Sequence, residues 1–371
     1  MIEEEIPEVI SKLGRIIKSD NSAFLGFDAC IDYIIRIVRE KDDNKITDYF
    51  NSSSQFGEFL VKLDNKSCGV ELETKLSKIG GNMVITANAL GNLGINVECV
   101  GTFGFPEILP VFRTMSPKCS LHTVADTISA TALEFDTSKV IMFDPGPYNN
   151  LTWDGIKDIL GIEKIKQLMS GKQLISFLNW SEIENSSQIW EGVIDEILPA
   201  ITLPEQKPFF FSDFSDCSRK SKKEIQFALD LLGRFRKYFK VFLSLNQNEA
   251  GLIARAMNMK EYDSDEDSIK ELFSLANTDV LIIHRTKDAL AFDGEVYERC
   301  DTFFCAEPEI LTGGGDNFNA GFCYTLFNDF NLFQSLLVAN AVSGSYVKTG
   351  LSPDVTQLTG FLKQNSKIYN Y

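Results

Sequence analysis

Apolar residues fall along this chain in two rhythms. Ile6, Val9, Ile10, Leu13, Ile16 and Ile17 recur at helical spacing and predict an amphipathic helix over residues 1–18. An apolar run from Ala23 to Gly26 then predicts a buried strand. A turn carrying Asp28 and Asp32 follows, and a second strand runs as far as Val38. Residues 41–67 are polar, with Asp42-Asp43-Asn44-Lys45 as a turn. Gly80-Gly81-Asn82 precedes small and apolar residues, which reads as a loop entering a tightly packed helix that stops at Gly94. Asn82 either caps that helix or turns its amide toward a ligand, with Gly80 and Gly81 leaving room for approach. A strand is expected over 96–101. Residues 120–145 alternate polar and apolar around a hairpin turn at Asp136–Lys139.

From residue 156 helix and strand alternate. Helices are expected over 156–168, 187–198 and 222–239, with strands at 173–179, 209–213 and 241–245. A helix to Met257, a strand at 279–283, a hairpin around Asp293-Gly294 and helices over 317–327, 332–347 and 354–366 complete the chain. This order argues for an α/β fold with a mostly parallel sheet and helices on both faces. No repeat or low-complexity linker divides the sequence, so one domain over 1–371 is expected. Residues 31–50 and 105–150 read as a small β-structure apart from the main sheet. Such a flap would exclude water from a site beneath it, and its exposed edges could pair across a homodimer.

Charge narrows the functions. The formal net charge is −16, which disfavours nucleic acid as a partner but leaves room for a phosphorylated cofactor in a local pocket. Eight cysteines without a CxxC pair, and only two histidines, argue against a Cys/His zinc site and suit a reducing cytoplasm. The acidic start, Met1 to Glu5, has no apolar signal segment, and no run reaches membrane-spanning length. A cytoplasmic protein without a membrane partner is expected.

The strongest chemical signal is Leu311-Thr312-Gly313-Gly314-Gly315-Asp316-Asn317, leading into a helix. Glycines and a helix N-terminus together present bare N–H donors to an anion, most naturally a phosphate. Asp316 repels that phosphate but is well placed to take a proton from a hydroxyl attacking it. Upstream, Asn246 and Glu249 stand three apart where a strand runs into a helix. They either form a capping box or hold a hydrated Mg²⁺ through its waters. Asp28 or Asp32, past the end of the first strand, could accept hydrogen bonds from polyol hydroxyls.

In this order the motifs resemble the ribokinase-type (PfkB) carbohydrate kinases, over about residues 23–350. Thr312 to Asp316 is similar to the family's C-terminal signature, with Gly314 where Ala is usual. Gly80-Gly81-Asn82 resembles its N-terminal signature, and Asn246 with Glu249 its N-x-x-E motif. The resemblance implies a ribokinase-like three-layer α/β/α sandwich with a small β lid, and transfer of phosphoryl from ATP, with Mg²⁺, to a sugar or sugar-like alcohol. By position it implies Asp316 as base and Gly313, Gly314 and Gly315 as anion hole. Asp28 or Asp32, with Gly80, Gly81 and Asn82, would meet the substrate. Thr286, Asn246, Thr312 and Asn340 would meet the nucleotide, and Asn246 with Glu249 the metal. Three stretches depart from the pattern: Gly104-Phe105-Pro106-Glu107, His284-Arg285-Thr286, and the lid region 105–150. The second is nearer to ADP-dependent sugar kinases. Arg285 or Lys287 is either a cation at the phosphates or a solvated charge. The alternatives are a nucleoside, vitamin or ADP-dependent kinase of the same fold, or a non-catalytic sugar- or nucleotide-binding module.

Overall fold

The computed structural model describes residues 2–15, 21–136, 138–310 and 312–365. The expected helical positions Ile16 and Ile17, the turn residue Thr137, Leu311 and the end of the last helix at 366 lie outside the described residues. Among the described residues fourteen strands follow one another. The first six are β1 (Ser22–Phe27), β2 (Cys30–Asp42), β3 (Lys45–Tyr49), β4 (Leu72–Gly80), β5 (Asn96–Gly101) and β6 (Cys119–Thr123). Then come β7 (Ile128–Glu134), β8 (Lys139–Phe143), β9 (Leu174–Leu178) and β10 (Phe209–Asp213). The last are β11 (Lys240–Asn246), β12 (Val280–His284), β13 (Asp288–Phe292) and β14 (Tyr297–Asp301).

Nine strands form one sheet in the order β14-β13-β12-β11-β10-β9-β1-β5-β6. All pairs are parallel except β12–β13 and β13–β14. Successive residues of the central strands feed opposite faces, as a pleated strand requires. Phe24, Phe210 and Val241 join an apolar core with Ile156, Trp190, Leu232 and Ile253 from the helices on one side. Leu25, Phe211 and Phe242 join a second core with Val9, Leu90, Phe322 and Leu337 from the helices on the other. Because both faces are buried, these strands are apolar throughout. The expected three-layer α/β/α sandwich is present.

The lid is a separate five-stranded sheet, β3-β2-β7-β8 with β4 also paired to β2. Phe50 and Leu133 with Ile35, Ile37 and Phe135 give it a small core of its own. Its hairpin turn, Asp43-Asn44, has positive φ at both residues, which these short polar side chains tolerate. Several boundaries differ from expectation. Asp32 lies inside β2 rather than on a turn, and β2 continues to Asp42. Of the expected loop Gly80-Gly81-Asn82, Gly80 ends a strand, β4, and Asn82 already opens the helix. β6, placed with the lid from its alternation, is the outer strand of the main sheet beside β5. The helix expected over 156–168 is two helices, Trp153–Leu160 and Ile162–Met169, broken at Gly161.

Candidate active site

The carboxyl ends of the parallel strands share one edge of the sheet, and the polar residues collect there. Asp28 follows β1, Asn179 follows β9, Asp213 ends β10, Asn246 ends β11 and His284 ends β12. Open α/β sheets bind ligands at this edge. The glycine-rich turn enters it from above. Its helix spans Gly314–Thr325, three residues earlier than expected, with Gly313 as N-cap at φ 96 and ψ 0. The first intrahelical bond closes at Asn317 N–H to the Gly313 carbonyl, 3.0 Å. The N–H groups of Gly314, Gly315 and Asp316 therefore have no acceptor within the helix, as at any helix start. The side chain of Asn317 also donates to the Gly313 carbonyl, which fixes the turn. A Cβ on Gly315 would lie 3.2 Å from the His284 ring, so the cradle is closed from below.

Asp316 sits in the first turn of that helix. Desolvation, then the Asp213 and Asp28 carboxyls, push its carboxyl well above the usual carboxylate range, against the pull of Lys78. A carboxylate raised in this way is a better base than one in water. The Thr86 hydroxyl donates to its backbone carbonyl and ties this helix to the helix Asn82–Asn92.

The substrate-side candidates lie together. Asp28 is fully buried, accepting from the Met83 N–H at 3.0 Å and from Asn179 Nδ2 at 3.1 Å. It thus caps the helix Asn82–Asn92 across the fold, and burial raises it to about 6. Asn82 is not the cap: that position is Gly81, at φ 93 and ψ 137, and Asn82 opens the helix with its amide on the Ser215 hydroxyl at 2.9 Å. Asp32 is only partly enclosed. Its carboxyl reaches over Gly80, the residue paired with Cys30 in the β2–β4 register, where a Cβ would meet Cys30 Sγ at 2.7 Å as well as the Asp32 carboxyl. Burial raises Asp32, while Lys78 and Lys139 lower it.

The nucleotide-side candidates Asn246, Thr286 and Asn340 line a cleft of about 440 Å³ with Gly314, Gly315, His284 and Phe304. Thr312 does not line it; its carbonyl and hydroxyl face Tyr346, Lys78 and Lys139 instead. Asn340 spends its amide on the carbonyls of Cys300 and Asp301. Arg285 also lines the cleft, but it is not a freely solvated charge: its guanidinium is shared between Asp265 and Asp288. Lys287 is exposed.

Asn246 and Glu249 form a full capping box. Both Glu249 oxygens accept from Asn246, at 2.5 and 2.8 Å. Burial, then Asp213, push Glu249 up to about 9. Among the described residues no cluster of three His, Cys, Asp or Glu could ligate a metal directly. A Mg²⁺ here would keep its waters, and it fits because it would relieve the buried Glu249–Asp213 repulsion. This sets a pH dependence. A raised folded-state pKa stabilises below the unfolded value and loses that contribution as pH climbs through the folded one. The melting temperature of metal-free protein should fall as pH rises from 4.5 toward about 9. Glu249→Gln should flatten that slope, and an unchanged slope in the variant would refute the assignment.

Reading the sequence missed Asn179, Asp213, Asn319, His284 and Lys78. Asn319 bridges Ser244 and Asp213, at 2.7 Å to each. Asn179 Oδ1 and His284 Nε2 are buried without a partner, and burial holds the His284 imidazole neutral at about 4. Buried polar atoms of this kind are satisfied in most folded proteins, so two at one sheet edge mark a place for a ligand. Asn179, Asp213 and His284 had no local signal beyond standing at or just past the end of an apolar strand; Lys78 and Asn319 had none.

A family model described as prokaryotic ketohexokinase matches residues 2–365. A ketohexokinase of Haloferax volcanii is 24% identical over 366 residues, 96% of this chain and 93% of that one. Among solved structures, a variant of Escherichia coli phosphofructokinase-2 superposes with a TM-score of 0.67 at 12% identity, covering 94% of this chain and 99% of the other. An Escherichia coli ribokinase II protein in complex with ATP and Mg²⁺ gives 0.62 at 12% identity, covering 93% and 99%.

Proposed function

The chain belongs to the prokaryotic ketohexokinase family, within the ribokinase/PfkB carbohydrate kinases, and from that premise we propose that it phosphorylates a hydroxymethyl hydroxyl of a ketohexose such as fructose, using ATP and Mg²⁺. One observation carries the reading: the free N–H groups at Gly314, Gly315 and Asp316 and a raised Asp316 carboxyl meet at the sheet edge. One side of that meeting point opens on the cleft, the other on Asp32 and Asn82.

In this reading Asp32, Asn82 and the unpaired Asn179 Oδ1 take the sugar hydroxyls, while Gly80 and Gly81 let it approach. Asp28 holds the helix start that carries Asn82. The cleft takes the nucleotide, with Thr286, Asn246 and Asn340 along it and the exposed Phe304 ring at its rim as a flat face for a purine. Asp316 removes the proton from the attacking hydroxyl. The N–H groups of Gly314, Gly315 and Asp316 stabilise charge on the phosphoryl group in flight. Asn246 and Glu249 would hold a Mg²⁺ through its waters, and the ion would supply further neutralisation of phosphate charge. The lid over residues 30–49, 72–80 and 128–143 keeps water from competing with the sugar.

The test is phosphoryl transfer over a panel of ketohexoses, aldohexoses, polyols and nucleosides, with ATP and then ADP as donor. Preferential turnover of a ketohexose with ATP supports the reading. A preference for nucleosides, or for ADP, overturns the acceptor or the donor respectively. Turnover of nothing, with sugar still bound, leaves a binding module.

Eight free cysteines fit a reducing cytoplasm. No helix among the described residues is long and apolar enough to cross a membrane. The outer lid strand β8 exposes Val140, Ile141 and Met142 in succession, a run that a second copy of the lid could cover. The predicted homodimer should dissociate in a Met142→Lys variant, read as a halved mass by light scattering. An unchanged mass would remove the lid as the interface.

A further inference from the structure

Five buried or half-buried carboxyls, from Asp28, Asp32, Asp213, Glu249 and Asp316, surround the place where a phosphoryl group must pass. Beyond burial, Asp213, Asp28 and Asp32 raise Asp316, and Asp213 and Asp316 raise Glu249. Phosphate brought among them adds more negative charge, so a cation is needed on the acceptor side as well as in the cleft. Arg285 cannot serve, because Asp265 and Asp288 hold it. Two lysines do reach the spot, and both come from the lid.

Lys78 lies on β4 directly opposite Asp32 in the β2–β4 register. Residues opposite one another across a strand pair share a face, so both point toward the site. Lys78 Nζ donates to the Tyr346 hydroxyl at 3.2 Å and to the Thr312 carbonyl at 3.4 Å. Thr312 immediately precedes the anion turn. The Tyr346 hydroxyl lies 2.8 Å from where a Cβ on Gly313 would stand. The ammonium is therefore held at the mouth of the turn by neutral acceptors alone, and it acts on the Asp32 and Asp316 carboxyls from there. From the other side of the lid, Lys139 on β8 donates to the Thr312 hydroxyl.

We propose that Lys78 lies against the transferring phosphoryl group and completes the anion site of Gly313 to Gly315 from the lid. Lys139 holds Thr312 so that the turn and the lid stay in register. The proposal rests on the phosphoryl-transfer reading above. In the step, the bond from the sugar oxygen to the γ-phosphorus forms as the bond from that phosphorus to the ADP oxygen breaks. The hydroxyl proton passes to Asp316, and Lys78 acts as an ammonium: burial and the neighbouring Lys139 oppose that charge, and the Asp32 and Asp316 carboxyls favour it. Its contribution grows as charge spreads over the three equatorial oxygens, which makes it stronger in the transition state than in the ground state.

The test compares wild type, Lys78→Met and Lys78→Arg. Two readouts are needed: steady-state kinetics with the accepted sugar, and affinity for Mg·ADP with and without aluminium fluoride, a mimic of the phosphoryl in flight. Lys78→Met should lower kcat by about 10²–10³-fold, the loss typical of one transition-state donor. Its KM for the sugar and its affinity for ADP alone should stay as in wild type, while the tight ADP–aluminium fluoride complex is lost. Lys78→Arg should regain part of both. Wild-type kcat and a tight fluoride complex in Lys78→Met overturn the proposal. So does a loss confined to sugar KM, which would make Lys78 a sugar ligand. A change in ADP affinity alone, unrescued by Arg, overturns it in favour of a structural role. If wild type itself neither turns over a sugar nor tightens on aluminium fluoride, the phosphoryl-transfer reading has failed and not the placement of Lys78 alone.

Discussion

An Asp316→Asn variant is expected to bind nucleotide and sugar as wild type does and to lose about 10²–10⁴-fold in kcat, the range for removal of a general base. The substitution keeps the shape of the side chain and removes only its capacity to take a proton. The helix start does not depend on the carboxylate, because the turn is fixed by Gly313 and by the Asn317 amide on its carbonyl. The N–H groups of the anion site stay where they are. Wild-type kcat in Asp316→Asn would reassign the base; loss of nucleotide affinity with unchanged kcat would make Asp316 a binding group. The pH profile supplies a second check. The limb of kcat that rises with pH should belong to Asp316 and vanish in the variant's residual activity.

Gly81→Ala is expected to cost about 1–3 kcal/mol of stability, the range for a residue forced into sparsely populated backbone space. Gly81 adopts φ 93 and ψ 137, a region that side chains avoid. Its new methyl would also stand 2.7 Å from Asp28 Oδ2 and 3.1 Å from the Ala29 Cα. Either the turn between β1 and β2 or the start of the helix Asn82–Asn92 must move, and both carry sugar-side groups. A displacement of an ångström at a reacting centre typically costs about 10²-fold. The loss should appear mainly in kcat/KM for the sugar, with ADP affinity kept because the nucleotide cleft is built from other elements. Thermal melts and steady-state kinetics measure both; full activity in Gly81→Ala would show that this turn does not meet the substrate.

How much of this could be read from the sequence depended on where each element lies. β9, β10 and β11 are buried on both faces, so their apolar runs announced them. β4 is largely exposed along Leu72 to Ser77, and the helix Ser53–Val61 has no buried residue. That helix turns only Phe56 and Phe59, both half-buried, onto the lid core, so its apolar signal is short and the lid was only half seen. β6 alternates because it is a partly open edge strand of the main sheet, which made it look like lid. The anion turn was legible because glycines, an acid and a helix start are adjacent in sequence. Asn179 and Asp213 were not, because nothing local distinguishes them from ordinary turn residues. Only the strand order, with β9 beside β1 and β10 beside β9, brings them to Asp28 and Asp316.

β2 has 13 residues and is continuous from Cys30, beside Asp28, to the lid tip at Asp42. At about 3.3 Å per residue it is a rod of about 40 Å with one end in the active site. β8, whose exposed run a second lid could cover, is joined through β7 to Cys30–Ile35 of that rod, the stretch that carries Asp32. If two lids grip one another, self-association and sugar affinity become one linked equilibrium, and each must shift the other by the same factor. Sugar affinity would then depend on how concentrated the protein is, and the enzyme would read its own abundance through a single strand.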